Sequence, residues 1–396
     1  MSLDTSVTDP AEVGMSGARL DDAAALMQRQ YDDGKSPTLV AVVARHGRVV
    51  FTRAVGEHRP GGPPVTLDSV FPLASQSKPM TAAVLLCLVE RGLVGLNEPI
   101  TVHLPELEGQ GHDEVMVNHL LTHTSGWHED DLTVQIQQRL PDIVAAWTPG
   151  GRDLLSQIIL ESGMETPRRE VPGTLMQYCN LNYTLISEII RRATGDTLDA
   201  AMRRYVFEPV GMADSAVIVP DDWVDRVIVR PPGIPLGPDH ADSPISSNDP
   251  LWAGSDDGAT GVHATALDGV RFGQMILDGG TVGERRVLSG DAVRVMTTDQ
   301  IPGIPAVVLA MRKTEARWGY GYHLSGTEPW LRFMGGTIAP GSPHHGGMGG
   351  IAAWIDPATG IVASYYEIIT EGDPERGPVS WAAHRFEDVI TAAVLD

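Results

Sequence analysis

Ser75 and Lys78 lie three residues apart in the run Ser75-Gln-Ser-Lys78, where a strongly apolar segment begins. Side chains at this spacing on a helix share one face, so the hydroxyl and the amine can come within hydrogen-bond distance. A lysine activates a serine only if burial or a nearby positive charge, such as that of a helix N-terminus, keeps its amine partly neutral. The competing interpretation makes Ser75 a helix cap and Lys78 a solvated side chain.

Tyr178 and Asn180 form a second candidate element, in the run Gln-Tyr178-Cys-Asn180 just before a predicted helix. A tyrosine held near a lysine can share its proton and serve as general acid and base. An asparagine two residues further on can orient a substrate carbonyl or hold the lysine by a hydrogen bond. Taken alone, the pair is more typical of an aromatic residue at a helix entry followed by an N-cap.

The third candidate element is the run Pro-His-His345-Gly-Gly347-Met348, which stands just before a predicted strand. Glycines beside a strand let a ligand or another backbone approach closely, and a histidine there can donate a hydrogen bond to an oxygen of the substrate or of the tyrosine. The simpler interpretation is a glycine-rich turn with histidines on the surface.

The order Ser-x-x-Lys, Tyr-x-Asn, His-x-Gly resembles the serine β-lactamase and penicillin-binding-protein superfamily. The similarity is to the branch that holds class C β-lactamases, D-peptidases and family VIII carboxylesterases. Residues 119–127, 261–266 and 318–322 are also similar to stretches typical of that branch, and they stand in the same order. Because no single motif is diagnostic, the weight of the resemblance lies in joint order and spacing.

The resemblance implies catalytic roles for three residues and requires no cofactor and no metal. Ser75 would be the nucleophile and Lys78 its activating base. Tyr178 would take and return protons during acylation and deacylation. The implied partner is a small-molecule ester or amide substrate, which the enzyme would hold as an acyl-enzyme.

The resemblance also implies which residues bind the substrate. The backbone N–H groups of Ser75 and Met348 would form an oxyanion hole, and Asn180, His345 and Gly347 would contact the substrate. The chain departs from the β-lactamases at one point, since His345-Gly-Gly347 stands where they carry Lys-Thr-Gly. That lysine helps attract the carboxylate of a β-lactam, so its replacement by histidine indicates esters or D-peptides.

The predicted function is therefore a serine hydrolase that forms an acyl-enzyme at Ser75, specifically a carboxylesterase acting on small esters. A D-amino-acid amidase or peptidase, a weak β-lactamase, and an acyltransferase using the same acyl-enzyme stay open as alternatives. A non-catalytic binding protein of the same fold is disfavoured because all three elements are intact.

The predicted fold class is α/β in the α+β sense, a β-lactamase-like antiparallel sheet flanked by helices from both termini, with a helical lobe. Strands are predicted over 38–44 and 48–55 near the start and over 351–355 and 361–368 near the end, each pair joined by a short turn. Amphipathic helices are predicted over 16–34 and 379–395.

The predicted domain division follows from this order of elements. Residues 1–73 and 290–396 are assigned to the sheet lobe and residues 74–289 to the mostly helical lobe, with the active site between the lobes. The sequence contains no internal repeat, and its length of 396 residues suits one enzyme unit of two lobes.

Composition excludes several classes of function. Hydrophobic residues make up 42% and charged residues 20%, as in ordinary globular proteins. A formal charge of -22 repels nucleic acids and anionic membranes, so neither is expected as a partner. The start of the chain shows no export signal and no stretch is long and apolar enough for a membrane span, so a cytoplasmic location is expected. Oligomeric state is not revealed.

Two rival sites can be weighed from spacing alone. His119 and His123 have the i, i+4 spacing of a zinc pair, but the intervening residues lack a zincin glutamate and no third ligand is marked. Hydrogen bonding at a helix end is therefore predicted for both histidines. An α/β-hydrolase is disfavoured because the chain has no Gly-x-Ser-x-Gly element.

Overall fold

The computed structural model describes most of the chain. The described residues are 3–109, 111–146, 153–231, 248, 253–308, 311–313, 317–326, 335–370 and 381–396. The first two residues of the predicted helix at 379–395 lie outside this set.

A six-stranded antiparallel sheet forms the centre of the molecule, with its strands in the order 323–324, 343–347, 351–356, 361–367, 38–45 and 48–56. The sheet unites strands from distant parts of the chain, since the strand at 38–45 pairs with the strand at 361–367. The predicted antiparallel pairs are present, and the predicted fold class is confirmed. The strands are β1 Thr38–Arg45, β2 Arg48–Gly56, β3 Phe71–Pro72, β4 Met176–Gln177, β5 Ser215–Ala216, β6 His263–Ala264, β7 Thr281–Val282, β8 Arg285–Arg286, β9 Ala306–Val308, β10 Met311–Lys313, β11 His323–Leu324, β12 Pro343–Gly347, β13 Ile351–Asp356 and β14 Ile361–Glu367.

Helices surround this sheet and form most of the region between β2 and β11. The α-helices are α1 Gly17–Asp32, α2 Ser77–Val89, α3 Val117–Leu121, α4 Glu129–Ala146, α5 Leu154–Met164, α6 Leu181–Thr194, α7 Leu198–Met202, α8 Glu208–Val210, α9 Ala266–Leu277, α10 Gly290–Thr297 and α11 Ala383–Ala392. A π-helical turn, Arg203–Phe207, joins α7 to α8, and short 3₁₀ turns include Ala74–Gln76.

The two faces of the sheet are buried by different helices because successive side chains of a strand point to opposite faces. On β1, Val40 and Val42 belong to the core shared with α2 and α9, whereas Ala41 and Val43 belong to the core shared with α1 and α11. A strand buried on both faces must be apolar at every position, which explains the uninterrupted apolar run of β1.

Helix α2 is buried on nearly every side, as its composition predicts. Every residue from Ser77 to Leu88 is buried, so the helix cannot shift without disturbing the core around it. It begins at Ser77, so Lys78 lies in its first turn while Ser75 precedes the α-helix. No helix among the described residues is long and apolar enough to cross a bilayer.

Helix α9 lies within the residues assigned to the helical lobe but packs on the sheet. Val270 and Ile276 of α9 share one core with Val362 of β14 and with the residues of α2. The sheet and the helical region are therefore continuous through this core. The division at residues 73/74 and 289/290 stays a prediction.

Candidate active site

Ser75 lies in a 3₁₀ turn, Ala74–Gln76, directly before α2, and not in the α-helix itself. Ala74 has a φ of 47°, which is unusual for a residue with a side chain and marks a strained turn. The Ser77 hydroxyl holds the turn, since it donates to the Ala74 carbonyl at 2.7 Å and accepts from the Val262 N–H at 3.0 Å. The turn leaves Ser75 partly exposed while its neighbours are buried.

Lys78 is fully buried and its amine contacts three oxygens. The amine nitrogen Nζ lies 3.0 Å from the Ser75 Oγ, 2.8 Å from the Asn180 Oδ1 and 2.9 Å from the carbonyl oxygen of Ala259. The structure thus brings together the first two candidate elements, which the chain separates widely. It adds a main-chain carbonyl that the sequence did not indicate.

The surroundings of Lys78 favour the neutral amine. Burial lowers the pKa of Lys78 to about 7, although the carboxylates of Asp257 and Glu129 act in the opposite direction. Burial also raises the pKa of Asp257 to about 6, against the hydrogen bond from Thr184 and the nearby Lys78. The main cause at Lys78 is therefore loss of water, and not the helix N-terminus that the sequence suggested.

Asn180 lies just before α6 and is held by Glu129, the first residue of α4. One carboxylate oxygen of Glu129 accepts from the backbone N–H of Asn180 at 2.7 Å, and the other accepts from its side-chain Nδ2 at 2.7 Å. The side-chain oxygen of Asn180 is left to accept from Lys78. Asn180 is thus fixed on both sides and contacts the lysine.

Tyr178 packs beside the serine and the lysine. Its ring centroid is 4.9 Å from Lys78 Nζ. Burial raises the pKa of Tyr178 well above its ordinary value, and the neighbouring Ser75 hydroxyl lowers it by a smaller amount. Its hydroxyl meets no hydrogen-bond partner of normal geometry among the described residues. Tyr178 is therefore a neutral phenol in the resting protein.

Aromatic rings form the wall behind Tyr178. The His123 ring lies 4.4 Å from the Tyr178 ring, centroid to centroid, and the Trp318 ring contacts both. His123 Nδ1 accepts from the Cys179 N–H at 3.3 Å, which places the proton of the neutral ring on Nε2. Burial lowers the pKa of His123 well below its ordinary value, with Lys78 adding to the effect. This wall fixes the position of Tyr178.

His345 is buried on β12 near the same wall. Its Nδ1 lies 2.7 Å from the Gly346 carbonyl oxygen, so that nitrogen carries the proton and donates. Burial lowers the pKa of His345 to about 3, and the nearby Lys78 contributes. His345 is therefore a neutral side chain at neutral pH and carries no positive charge toward the site.

Gly347, at the end of β12, allows this strand to approach the nucleophile turn. A Cβ placed on Gly347 would lie 2.1 Å from the carbonyl oxygen of Leu73, two residues before Ser75. Met348 follows directly and is 37% exposed. The backbone of Met348 therefore adjoins the segment that carries Ser75, as a shared oxyanion hole requires, although that role stays a prediction.

Gly347→Ala is expected to lower activity by about 10²-fold, because the added methyl must push the Leu73 backbone and with it Ser75. Esterase turnover and thermal unfolding would be measured together. Gly17→Ala is a matched control, since a Cβ there meets nothing within 4 Å. A Gly347→Ala protein with unchanged turnover would show that the close approach is unimportant.

The site contains residues that sequence reasoning missed, above all Glu129 and the carbonyl of Ala259. Glu129 follows the motif at 119–127 closely, but no spacing rule links it to Asn180. The sequence predicts hydrogen bonding at a helix end for His119 and His123. His119 does accept from the Met116 N–H at 3.1 Å at the start of α3, while His123 lies beyond the helix and contacts Tyr178.

The molecule has the arrangement of β-lactamase-like proteins. Helices cover an antiparallel sheet, and a serine turn and a buried lysine stand at the start of an inner helix. Residues 23–383 match the family model described as Beta-lactamase, and the chain belongs to that family. The resemblance inferred from the three motifs is thereby confirmed.

Individual relatives include esterases and penicillin-binding proteins. The chain is 36% identical over 188 residues to esterase EstB of Burkholderia gladioli, covering 45% of this chain and 46% of the esterase. It is 29% identical over 324 residues to penicillin-binding protein 4 of Amycolatopsis lactamdurans, covering 80% and 75%. A solved family VIII carboxylesterase superposes with a TM-score of 0.71 at 21% identity, over 95% of this chain and 96% of that one. The match to esterase EstB therefore spans under half the length of that relative.

Proposed function

We propose that the protein is a serine hydrolase that forms an acyl-enzyme at Ser75 and hydrolyses small carboxylic esters. The observation that carries the proposal is the set of contacts around the Lys78 amine. A neutral amine has two N–H groups and one lone pair. The carbonyl oxygens of Asn180 and Ala259 can only accept, so they take the two N–H groups, and the lone pair is left facing the Ser75 hydroxyl.

The reaction follows from this arrangement. Ser75 Oγ attacks the ester carbonyl carbon while its proton moves to Lys78 Nζ. The oxyanion accepts hydrogen bonds from the backbone N–H groups of Ser75 and Met348. When the C–O bond breaks, Tyr178 gives its proton to the leaving alcohol and recovers one from the Lys78 ammonium. Water then attacks the acyl carbon and gives one proton to the same groups. The bond to Ser75 Oγ breaks, the carboxylic acid leaves, and that proton returns to Ser75 Oγ.

The preference for esters is supported by His345 and by the esterase among the relatives. A β-lactam presents a carboxylate beside the reacting amide, and binding it calls for a positive charge. His345 is neutral because burial lowers its pKa to about 3. The 36% identity to esterase EstB over 188 residues points the same way. Asn180 and Gly347 would line the path of the substrate.

A substrate panel tests the proposal directly. Short p-nitrophenyl esters are expected to turn over faster than nitrocefin and faster than D-amino-acid amides. The reason is that the site supplies a nucleophile and base but no cation at His345 for a β-lactam carboxylate. Turnover would be followed by absorbance at matched enzyme concentration, with heat-inactivated protein as the blank. Faster hydrolysis of nitrocefin than of every ester would refute the ester preference.

The panel also separates the alternatives. Release of D-amino acids from their amides as the fastest reaction would identify an amidase or peptidase. Added alcohol that is converted into a new ester, with free acid formed more slowly, would identify an acyltransferase working through the same acyl-enzyme.

A further inference from the structure

Glu129 stands out among the acidic residues because both of its carboxylate oxygens bind one residue of the candidate site. We propose that Glu129 is a positioning residue, which orients the Asn180 amide so that the lone pair of Lys78 faces Ser75. This inference rests on the proposed function, since it assigns Glu129 a part in activating the same serine. Glu129 itself contacts neither Ser75 nor Lys78 by a hydrogen bond in the described residues.

The orientation of Asn180 follows from what Glu129 can do chemically. A carboxylate only accepts hydrogen bonds, so the Nδ2 group of Asn180 must face it, and the Oδ1 atom must face the opposite way. The opposite side holds Lys78, whose amine donates to that oxygen at 2.8 Å. The second oxygen of Glu129 fixes the Asn180 backbone N–H at 2.7 Å. Both the position and the direction of the amide are therefore set by one carboxylate.

A reversed amide would stop the lysine from acting as a base. If Nδ2 of Asn180 faced Lys78, it would donate a hydrogen bond to the lone pair of the neutral amine. That lone pair would then be unavailable for the Ser75 proton. Glu129 prevents the reversal, because the Oδ1 atom of Asn180 would then face the carboxylate oxygen that now accepts from Nδ2, and two acceptors repel each other. The carboxylate thus acts on the serine through two side chains.

The charge of Glu129 has a second effect on the lysine. Glu129 and Asp257 both raise the pKa of Lys78, against the larger lowering by burial. Other polar or titratable groups also lie near the lysine. They are His123 after α3, Tyr178 and Cys179 before Asn180, Tyr183 on α6 and His345 on β12. Glu129 reaches Lys78 through the side chain of Asn180, whereas Asp257 accepts from the Ala259 N–H and reaches the lysine through the Ala259 backbone.

The pH dependence of ester hydrolysis distinguishes this role from a structural one. For a base that must be neutral, kcat/KM rises with pH through the pKa of Lys78, about 7 in the unmodified protein. Glu129→Gln removes a charge that favours the ammonium, so the midpoint of this rise is expected at lower pH. The plateau is expected to fall about 10- to 100-fold, because the glutamine amide can stabilise the reversed Asn180.

The experiment measures kcat/KM for p-nitrophenyl acetate between about pH 5 and pH 9, with thermal unfolding at each end to confirm folding. Asp130→Asn is the matched control, because Asp130 is exposed, follows Glu129 directly and loses the same charge. Its profile is expected to coincide with that of the unmodified protein. Glu129→Asp keeps the charge but shortens the side chain, so its midpoint should stay near 7 while its plateau falls.

Each outcome decides between the alternatives. A lower plateau and a lower midpoint in Glu129→Gln alone support the positioning role. An unchanged profile, a lower plateau with an unmoved midpoint, or an equal shift in Asp130→Asn would each overturn it. The proposed function is judged separately, by labelling of the unmodified protein with an active-serine phosphonate. An unmodified protein that is neither labelled at Ser75 nor active on esters would remove the basis for both.

Discussion

Replacing Ser75 with alanine is expected to lower ester hydrolysis by at least about 10⁴-fold and to abolish covalent labelling by an active-serine phosphonate. The hydroxyl is the partly exposed group that the Lys78 amine contacts at 3.0 Å, and alanine removes only that oxygen. Intact mass spectrometry would show the adduct, and peptide mapping would place it. Thermal unfolding should be nearly unchanged, because the turn is held by Ser77 and not by Ser75.

Ser6→Ala provides the comparison for this experiment, since Ser6 is exposed and far along the chain from the site. Its labelling and turnover should match those of the unmodified protein. Equal labelling of the Ser75→Ala protein would mean that another residue is the nucleophile.

Replacing Lys78 with methionine is expected to lower kcat by about 10²- to 10⁴-fold, because the general base is lost while the buried volume is kept. Acylation should be affected first, so the burst of p-nitrophenol in the first turnover should disappear. The pH dependence of the residual activity should no longer show the rise near the lysine pKa of about 7. Stopped-flow absorbance over a range of pH would measure both effects.

Lys35→Met tests whether the loss is specific, since Lys35 pairs with Asp33 at the surface. That variant should keep full activity. Lys78→Met also leaves Asp257 without a nearby cation, so folding must be verified by thermal unfolding before kinetics are compared. A folded Lys78→Met protein with a normal burst would assign the base to another residue.

Much of the sheet could be predicted because its signals are local. Apolar β-branched runs separated by short turns gave the β1–β2 and β13–β14 pairs to within one residue at either end. The spacing of Ser75 and Lys78 predicts that both lie on one helix, but α2 begins at Ser77 and Ser75 lies in the 3₁₀ turn before it. Helix ends are set by hydrogen bonds as well as by apolar pattern.

The candidate site was only partly predictable. Ser75, Lys78, Tyr178 and Asn180 carry recognisable side-chain chemistry at short spacings, and the fold places the first two against the last two. The Ala259 carbonyl has no sequence signature, because every residue possesses one. Contacts of this kind depend on how distant segments pack, which spacing along the chain does not encode.

Leu39 of β1 lies opposite Glu367 of β14, and Arg45 lies opposite Ile361, so the middle of the sheet is completed by the last strand. Pairing of such distant segments is slow to form, since a very long loop must close first. Gly347, which packs against the backbone before Ser75, belongs to the same late-made part of the sheet. A chain synthesised only as far as α10 therefore holds the serine and the lysine but still lacks β12, the strand that completes their surroundings. The serine and the lysine therefore gain their complete surroundings only when β12 has joined the sheet.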